Sequence, residues 1–165
     1  MVYGSYEFFS NLWKMRMSGD RDVEKMTRLL HMASVVSLPT IVTFLLSKGA
    51  DVTAVDEDGR TALHLSVRNC ENPDIAGLLL KSGADINSIN HNNGSTPLHV
   101  AAWNNPNPNV IQYLLHNGAN IKAVNNFGST PLHLAAWNNQ NTEVIKCLLS
   151  NGSSLRVTNK LVVNR

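Results

Sequence analysis

Charged residues are scarce in this sequence, and neither sign of charge dominates. Lysine, arginine, aspartate and glutamate make up 16% of the 165 residues, and the formal net charge is +2. Folded domains usually have about a quarter charged residues. Without a field of one sign, neither a nucleic acid nor a membrane surface is indicated as a partner. Asparagine supplies much of the polar surface instead, with sixteen copies between Ile86 and Asn151.

Long apolar runs are also absent. No stretch approaches the ~20 consecutive apolar residues that a membrane-spanning helix needs. The first residues, MVYGSYEFFSNLWK, lack the early positive charge and the continuous apolar core of a secretory signal. We therefore expect an intracellular protein, cytoplasmic in the cell that produces it or, if it is an effector, in a host cell.

The signatures of catalytic and cofactor sites are missing as well. The sequence contains neither G-x-x-x-x-G-K-[ST] nor G-x-G-x-x-G, so it has no phosphate-cradling loop. Its histidines show no metal-ligand spacing with cysteines or carboxylates. We expect no enzyme activity, no cofactor and no metal.

What the sequence does contain is a repeat. GSTPLHVAAWNN begins at Gly94 and GSTPLHLAAWNN begins at Gly128, and the two copies differ only at Val100 and Leu134. Two markers recur at intervals of 34 or 35 residues. The T-x-L-H core begins at Thr61, Thr96 and Thr130, and a glycine marker lies at Gly49, Gly83, Gly118 and Gly152. A shared period of this size indicates a solenoid.

One unit can be read as two helices and an extended finger. Thr96 is suited to cap a helix whose first residue is Pro97, where the missing N–H has no cost. The Asn-Pro-Asn-Pro-Asn segment at 105–109 ends that helix. The apolar stripe of a second helix follows at 110–115, and Gly118 closes it in the left-handed conformation. Apolar residues alternate with polar and turn-forming residues at 119–127, which predicts a hairpin-like finger.

These units resemble ankyrin repeats in their G-x-TPLHLAA opening, V-I-x-x-LL second helix and GAD or GAN close. The resemblance covers about Thr27 to Gly152 and implies an all-α solenoid with a helix–turn–helix and a finger in each unit. We place a repeat domain at 21–165, with units at about 27–60, 61–95, 96–129 and 130–152, followed by a C-terminal cap or tail. The first unit is degenerate. Each interhelical loop is one residue longer than is usual for the family, and residues 83–96 gain another in the finger.

The N-terminal segment is predicted to be a capping helix at residues 1–20. Apolar residues recur in it at helical spacing, at Tyr6, Phe9, Leu12, Trp13 and Met17. Solenoids need atypical end units because an exposed inner layer would aggregate. The alternative is an amphipathic helix that binds a partner.

The recurring histidines and the two cysteines have structural interpretations. His64, His99 and His133 lie at the repeat period, which favours the same backbone-bonding role in each layer. Cys70 and Cys147 lie two units apart, and packed helical layers advance by ~8–10 Å each. A disulfide needs Cα atoms within ~7 Å, so we predict separate, reduced thiols.

The resemblance implies that the end of each first helix and each finger tip line a concave groove where partners dock. Trp103 and Trp137 end two of these helices and are either interface anchors or packing between layers. The finger tips grade from charged to aromatic and polar. The candidate groove residues are Arg68, Asn69, Trp103, Asn104, Trp137 and Asn138 on the helices, and Glu57, Asp58, Arg60, Asn92, Asn93, Ser95, Asn126, Phe127 and Ser129 on the fingers.

The resemblance therefore implies a monomeric module that binds another protein and performs no chemistry. It acts as a stand-alone inhibitor or effector, or as an adaptor that links a groove-bound target to a second protein through the N-terminal helix. An enzyme with a cryptic site and a nucleic-acid-binding protein are the less favoured alternatives.

Overall fold

A computed structural model of the protein describes residues 23–71 and 73–154. Within these ranges the chain forms eight α-helices, and its one β-bridge joins Val55 and Thr61. The helices are α1 (Val23–Val35), α2 (Pro39–Ser47), α3 (Ala62–Ser66), α4 (Asp74–Lys81), α5 (Pro97–Asn104), α6 (Pro108–His116), α7 (Pro131–Asn138) and α8 (Thr142–Ser150). The predicted capping helix at 1–20 and residues 155–165 of the predicted C-terminal cap or tail lie outside the described residues.

The helices form four consecutive pairs that stack on one another. The first helices of successive pairs are in contact, α1 with α3, α3 with α5 and α5 with α7. Among the second helices, α2 contacts α4 and α6 contacts α8. The predicted all-α solenoid is confirmed.

The core of the second to fourth helix pairs includes one leucine from each helix, at the same place in successive units. Leu63, Leu98 and Leu132 on the first helices are fully buried. So are Leu79, Leu114 and Leu148 on the second helices. Since each layer buries its apolar side against its neighbours, no single pair has a complete core of its own.

In the second and third units the histidine of the T-x-L-H core joins its helix cap to the next unit, whereas within the described residues His133 in the fourth unit bonds only its own cap residue Thr130. The Thr61 N–H donates to Nδ1 of His64 at 3.2 Å, and Nε2 of His64 donates to the Ser95 carbonyl at 2.9 Å. His99 repeats this with the Thr96 N–H at 3.1 Å and the Ser129 carbonyl at 2.9 Å. The predicted structural role is confirmed, and it extends across the layers. Burial lowers the pKa of His64 and lowers that of His99 to about 4, which favours the neutral form of both rings at neutral pH.

The fingers are tight turns whose tips are joined in a row. The Asn125 N–H donates to the Ser129 carbonyl, four residues on, whereas the Asn90 N–H donates to that of Ser95, five residues on. The extra residue predicted in the second finger therefore lies at its tip. Gly94, at φ 68°, has no room for a side chain, because a Cβ there would collide with the Asn126 side chain. The Asn126 N–H donates to the Asn93 carbonyl at 3.0 Å and so links the second and third fingers.

Both cysteines are free thiols, as predicted. Cys70 is buried and Cys147 is half-buried. Burial raises the pKa of both thiols, so neither has enhanced nucleophilicity at neutral pH.

Asparagine side chains connect the interhelical loops of successive layers. Asn105 is fully buried, and its Nδ2 donates to the carbonyls of Val67 and Cys70 in the preceding layer, each at 3.0 Å. Its Oδ1 accepts the Asn107 N–H at 2.8 Å and so shapes its own loop. The amide thus satisfies backbone groups that would otherwise be buried without partners.

The next layer repeats this arrangement. Nδ2 of Asn139 donates to the carbonyls of Ala102 and Asn105 at 2.9 and 2.8 Å. Its Oδ1 accepts the Asn141 N–H at 3.0 Å, and Nδ2 of Asn141 donates to the Pro106 carbonyl at 2.7 Å. We call Asn105, Asn107, Asn139 and Asn141 the asparagine ladder. It explains why the second asparagine of each W-N-N sequence is part of the scaffold.

Replacing Asn105 with alanine is expected to lower the free energy of unfolding by about 2 kcal/mol, because buried carbonyls lose their donor. Urea unfolding followed by circular dichroism measures this. The matched control is Asn104→Ala, since Nδ2 of Asn104 donates only to the Val100 carbonyl of its own helix. Equal midpoints for the two variants would contradict the ladder's contribution to stability.

Candidate protein-binding groove

A cleft of about 520 Å³ lies where α5, α7 and the second and third fingers meet. Its apolar walls are formed by Val100, Trp103, Phe127, Leu134 and Trp137. Amide, hydroxyl and imidazole groups complete the lining, at Asn93, Ser95, His99, Asn104, Asn125 and Ser129. We call this the aromatic cleft.

The two tryptophans of the aromatic cleft differ in exposure. Trp137 is 83% exposed, and Phe127 beside it is 57% exposed, whereas Trp103 is half-buried. Nδ2 of Asn138 donates to the Trp103 carbonyl at 3.0 Å, which fixes the end of α5 against α7. Trp103 is therefore partly integrated into the stack, and Trp137 is presented to solvent.

The third finger holds Phe127 in place through a buried amide. Oδ1 of Asn125 accepts the N–H groups of Phe127 and Ser129 at 3.1 and 3.0 Å. Such an Asx turn defines the backbone of the tip in the absence of a partner. The aromatic cleft is thus preorganised on its finger side, which lowers the entropy lost on binding.

A second cleft, of about 840 Å³, lies between α1, the first finger and α3. Five carboxylates line it, from Glu24, Asp51, Asp56, Glu57 and Asp58. Arg28 and Arg60 are its two guanidinium groups, so the charge of these lining groups is −3 with His31 counted as neutral. We call this the acidic cleft.

Arg60 is shared between two of these carboxylates. Its Nη2 lies 2.8 Å from Asp56 and 2.6 Å from Asp58. Burial opposes ionisation of Asp56, but the hydrogen bonds and charge of Arg60 outweigh it and lower the pKa of Asp56. Glu57 is exposed at the same finger tip.

The structure distributes the predicted groove residues over these two clefts. The aromatic cleft contains Asn93, Ser95, Trp103, Asn104, Phe127, Ser129 and Trp137, and the acidic cleft contains Glu57, Asp58 and Arg60. Neither cleft is lined by Arg68, Asn69, Asn92, Asn126 or Asn138. Asn69 lies beside Cys70 and Glu71 in a smaller pocket at the loop between α3 and α4.

Sequence reasoning did not include two apolar residues of the aromatic cleft, Val100 and Leu134. Each lies three residues before a tryptophan, and residues at that spacing share one face of a helix. The signal was therefore present in the sequence.

In the part of the chain that the structure describes, His, Cys, Asp and Glu side chains form no group that could hold a metal ion. None of the described helices is long and apolar enough to cross a membrane.

Comparison with known proteins identifies the repeats independently of the geometry. A family model described as ankyrin repeats, in three copies, matches residues 3–90, 29–125 and 88–159. No curated protein matches the chain. The matched segments together span nearly the whole sequence and include all four helix pairs. The chain therefore belongs to the ankyrin-repeat family.

Proposed function

We propose that this protein binds a partner protein through its concave groove, with the aromatic cleft as the anchoring site. Ankyrin repeats are generally protein–protein interaction modules, and the family is typically non-catalytic. The observation that carries the proposal is Trp137, 83% exposed beside Phe127 in a cleft of about 520 Å³. Tryptophans in such positions dominate the binding energy of many interfaces.

The physical basis is the apolar area that the free protein leaves in water. Covering one aromatic side chain removes about 150–250 Å² from solvent, which is worth roughly 4–6 kcal/mol before the costs of association. An exposed apolar surface of this kind is an aggregation hazard unless a partner covers it. Partner binding therefore accounts for these exposed side chains, whereas packing between the repeats does not.

The acidic cleft contributes in a different way. Its exposed charges, such as Glu57, act over a distance and chiefly set the association rate and its salt dependence. A partner anchored in the aromatic cleft would thus be steered by the other end of the groove.

We further propose that the protein acts as a stand-alone inhibitor or effector by occupying its partner's surface. Both clefts are lined by residues of first helices and fingers, so a partner that follows these elements along the stack would cover both. Immobilised full-length protein, used to capture partners for identification by mass spectrometry, tests this. A captured protein whose activity is unchanged when the groove is saturated would contradict the inhibitor role.

Replacing Trp137 with alanine is expected to weaken binding of the captured partner by about 2 kcal/mol, or about thirtyfold in Kd. The thermal midpoint should change little, because an exposed side chain contributes little to the folded state. Titration calorimetry and thermal unfolding measure the two quantities. Trp103→Ala should weaken binding and also lower stability, since this ring is half-buried.

Leu149→Ala is the matched control, because Leu149 is 45% exposed on α8 and does not line the cleft. We expect it to leave the Kd unchanged. Unchanged affinity of the Trp137 variant would assign recognition to another surface. A loss of stability in proportion to the loss of affinity would instead make Trp137 part of the stack.

A further inference from the structure

We propose that the groove recognises one extended segment of the partner, with lysine or arginine at one end and a large apolar side chain at the other. The basic end lies over the acidic cleft, and the apolar side chain enters the aromatic cleft. This inference rests on the proposed function and specifies the chemistry of the partner.

The lining of the aromatic cleft selects an uncharged occupant. Its one ionisable side chain is His99, which is fully buried and neutral at physiological pH. A charged side chain would lose its hydration there without gaining a counter-ion. An apolar side chain gains from Trp103, Phe127 and Trp137. The side-chain amides of Asn93 and Asn104 suit the peptide groups on either side of it.

The acidic cleft also has an apolar part, from Val23, Met32, Val35, Ala54, Val55 and Leu65, but unlike the aromatic cleft it has carboxylates in excess. Its lining groups have a charge of −3, and Arg60 already forms ion pairs with Asp56 and Asp58. Arg28 is the one other guanidinium in the lining, so the excess of carboxylates remains for a cationic segment. Charge complementarity of this kind fixes the direction in which a segment lies and excludes acidic competitors.

The repeat geometry sets the spacing between the two ends. The acidic cleft lies between the first and second helix pairs, and the aromatic cleft lies between the third and fourth. Two layers of ~8–10 Å separate them by roughly 16–20 Å. An extended chain covers about 3.3 Å per residue, so the basic and apolar positions should be about five to six residues apart.

Selection from a phage-displayed library of random dodecapeptides on the immobilised full-length protein tests the inference. We expect enriched peptides to have lysine or arginine about five to six residues from a large aliphatic or aromatic residue. Fluorescence anisotropy of one enriched peptide then measures the effect of each cleft. Trp137→Ala should raise the Kd at least about tenfold, and Glu57→Lys should raise it about fivefold at low salt and less at high salt.

Two controls match these variants in chemistry. Glu71→Lys makes the same charge change outside both clefts, and Leu149→Ala removes an exposed apolar side chain outside both. Neither should alter the Kd. Enriched peptides that retain their affinity for both cleft variants would overturn the inference. They would also show that such segments do not bind in the groove.

The other outcomes separate the inference from the proposed function. Peptides that lack basic residues, and that are sensitive to Trp137→Ala but not to Glu57→Lys, overturn the two-ended segment and leave groove binding intact. Basic residues enriched at both ends would show that the indole rings hold a cation, and this also overturns the apolar assignment. Failure to enrich any sequence overturns recognition of an extended segment, and the captured partner then tests the groove alone.

Discussion

Replacing Leu98 with alanine is expected to lower the free energy of unfolding by about 2–5 kcal/mol. Leu98 is fully buried in α5, which contacts both α3 and α7. The truncation therefore leaves a cavity in an internal layer and weakens both of its interfaces. The free energy of unfolding of a folded domain is usually about 5–15 kcal/mol. A loss of about 5 kcal/mol would therefore leave a chain of low stability largely unfolded.

Urea unfolding monitored by circular dichroism gives the midpoint for this variant. The matched control is Leu149→Ala, where the side chain is 45% exposed and the expected loss is below about 1 kcal/mol. A Leu98 variant with the wild-type midpoint would contradict the assigned register of the repeats. If the variant does not fold at all, Leu98→Val is a milder truncation of the same site with the same expected direction.

Acidification is expected to destabilise the stack between pH 6.5 and pH 4. Burial lowers the pKa of His99 to about 4, and an unfolded histidine has a pKa of about 6.5. Between these values the unfolded state binds more protons than the native state does. The stabilisation is therefore complete above pH 6.5 and is lost as the pH falls to 4, by on the order of 3 kcal/mol from His99 alone. His64, whose pKa burial also lowers, adds to the loss in the same direction.

Free energies of unfolding in urea at several pH values measure this slope. His99→Gln should be less stable at pH 7 but should have a slope smaller by one proton, about 1.4 kcal/mol per pH unit. His116→Gln is the control, because His116 lies exposed at the end of α6 and its ring bonds only Gln112. Wild-type protein with a flat profile over this range would contradict the neutral, buried state of His64 and His99.

The stacked helix pairs could be predicted from the sequence because the information that determines them is local and repeated. Thr96, Pro97 and Leu98 specify a cap, a first turn and a buried position within three residues, and Thr130, Pro131 and Leu132 repeat the pattern. The pattern is weaker in the first unit. Thr27, which aligns with the cap threonines, lies inside α1, and its Oγ1 accepts the Asp51 N–H at 3.1 Å. Neither proline nor glycine occurs between Val23 and Thr27, so no helix breaker separates Thr27 from the start of α1.

The asparagine ladder could not be predicted in the same way. Asn104 and Asn105 are adjacent and chemically identical, yet Asn105 is fully buried and Asn104 is not. The difference arises because α5 ends between them and the carbonyls of Val67 and Cys70 lie within reach of only one amide. These carbonyls belong to residues 35 or more positions earlier in the chain, and no local pattern encodes their approach.

The candidate groove shows a similar limit. Trp103 and Trp137 occupy nearly identical sequence contexts, but their exposure differs because α7 packs beside Trp103 and no described helix follows α8. Two tryptophans in the same sequence context thus have different environments, because they lie in different layers of the stack. The grading from an acidic to an aromatic end follows from the finger residues, which the sequence did reveal.

The asparagine ladder makes the layer of residues 96–129 its own complement. Residues 96–129 contain both the amide that reaches back, on Asn105, and carbonyls that the next amide reaches, on Ala102 and Asn105. A repeat whose N-terminal contact surface complements its own C-terminal contact surface can be stacked any number of times. Duplication of the coding segment for such a unit would lengthen the groove by one further cleft, and no new contacts between layers would be needed. The proposed recognition surface can therefore be lengthened by copying, with later substitutions in the helix ends and finger tips giving each copy a different target.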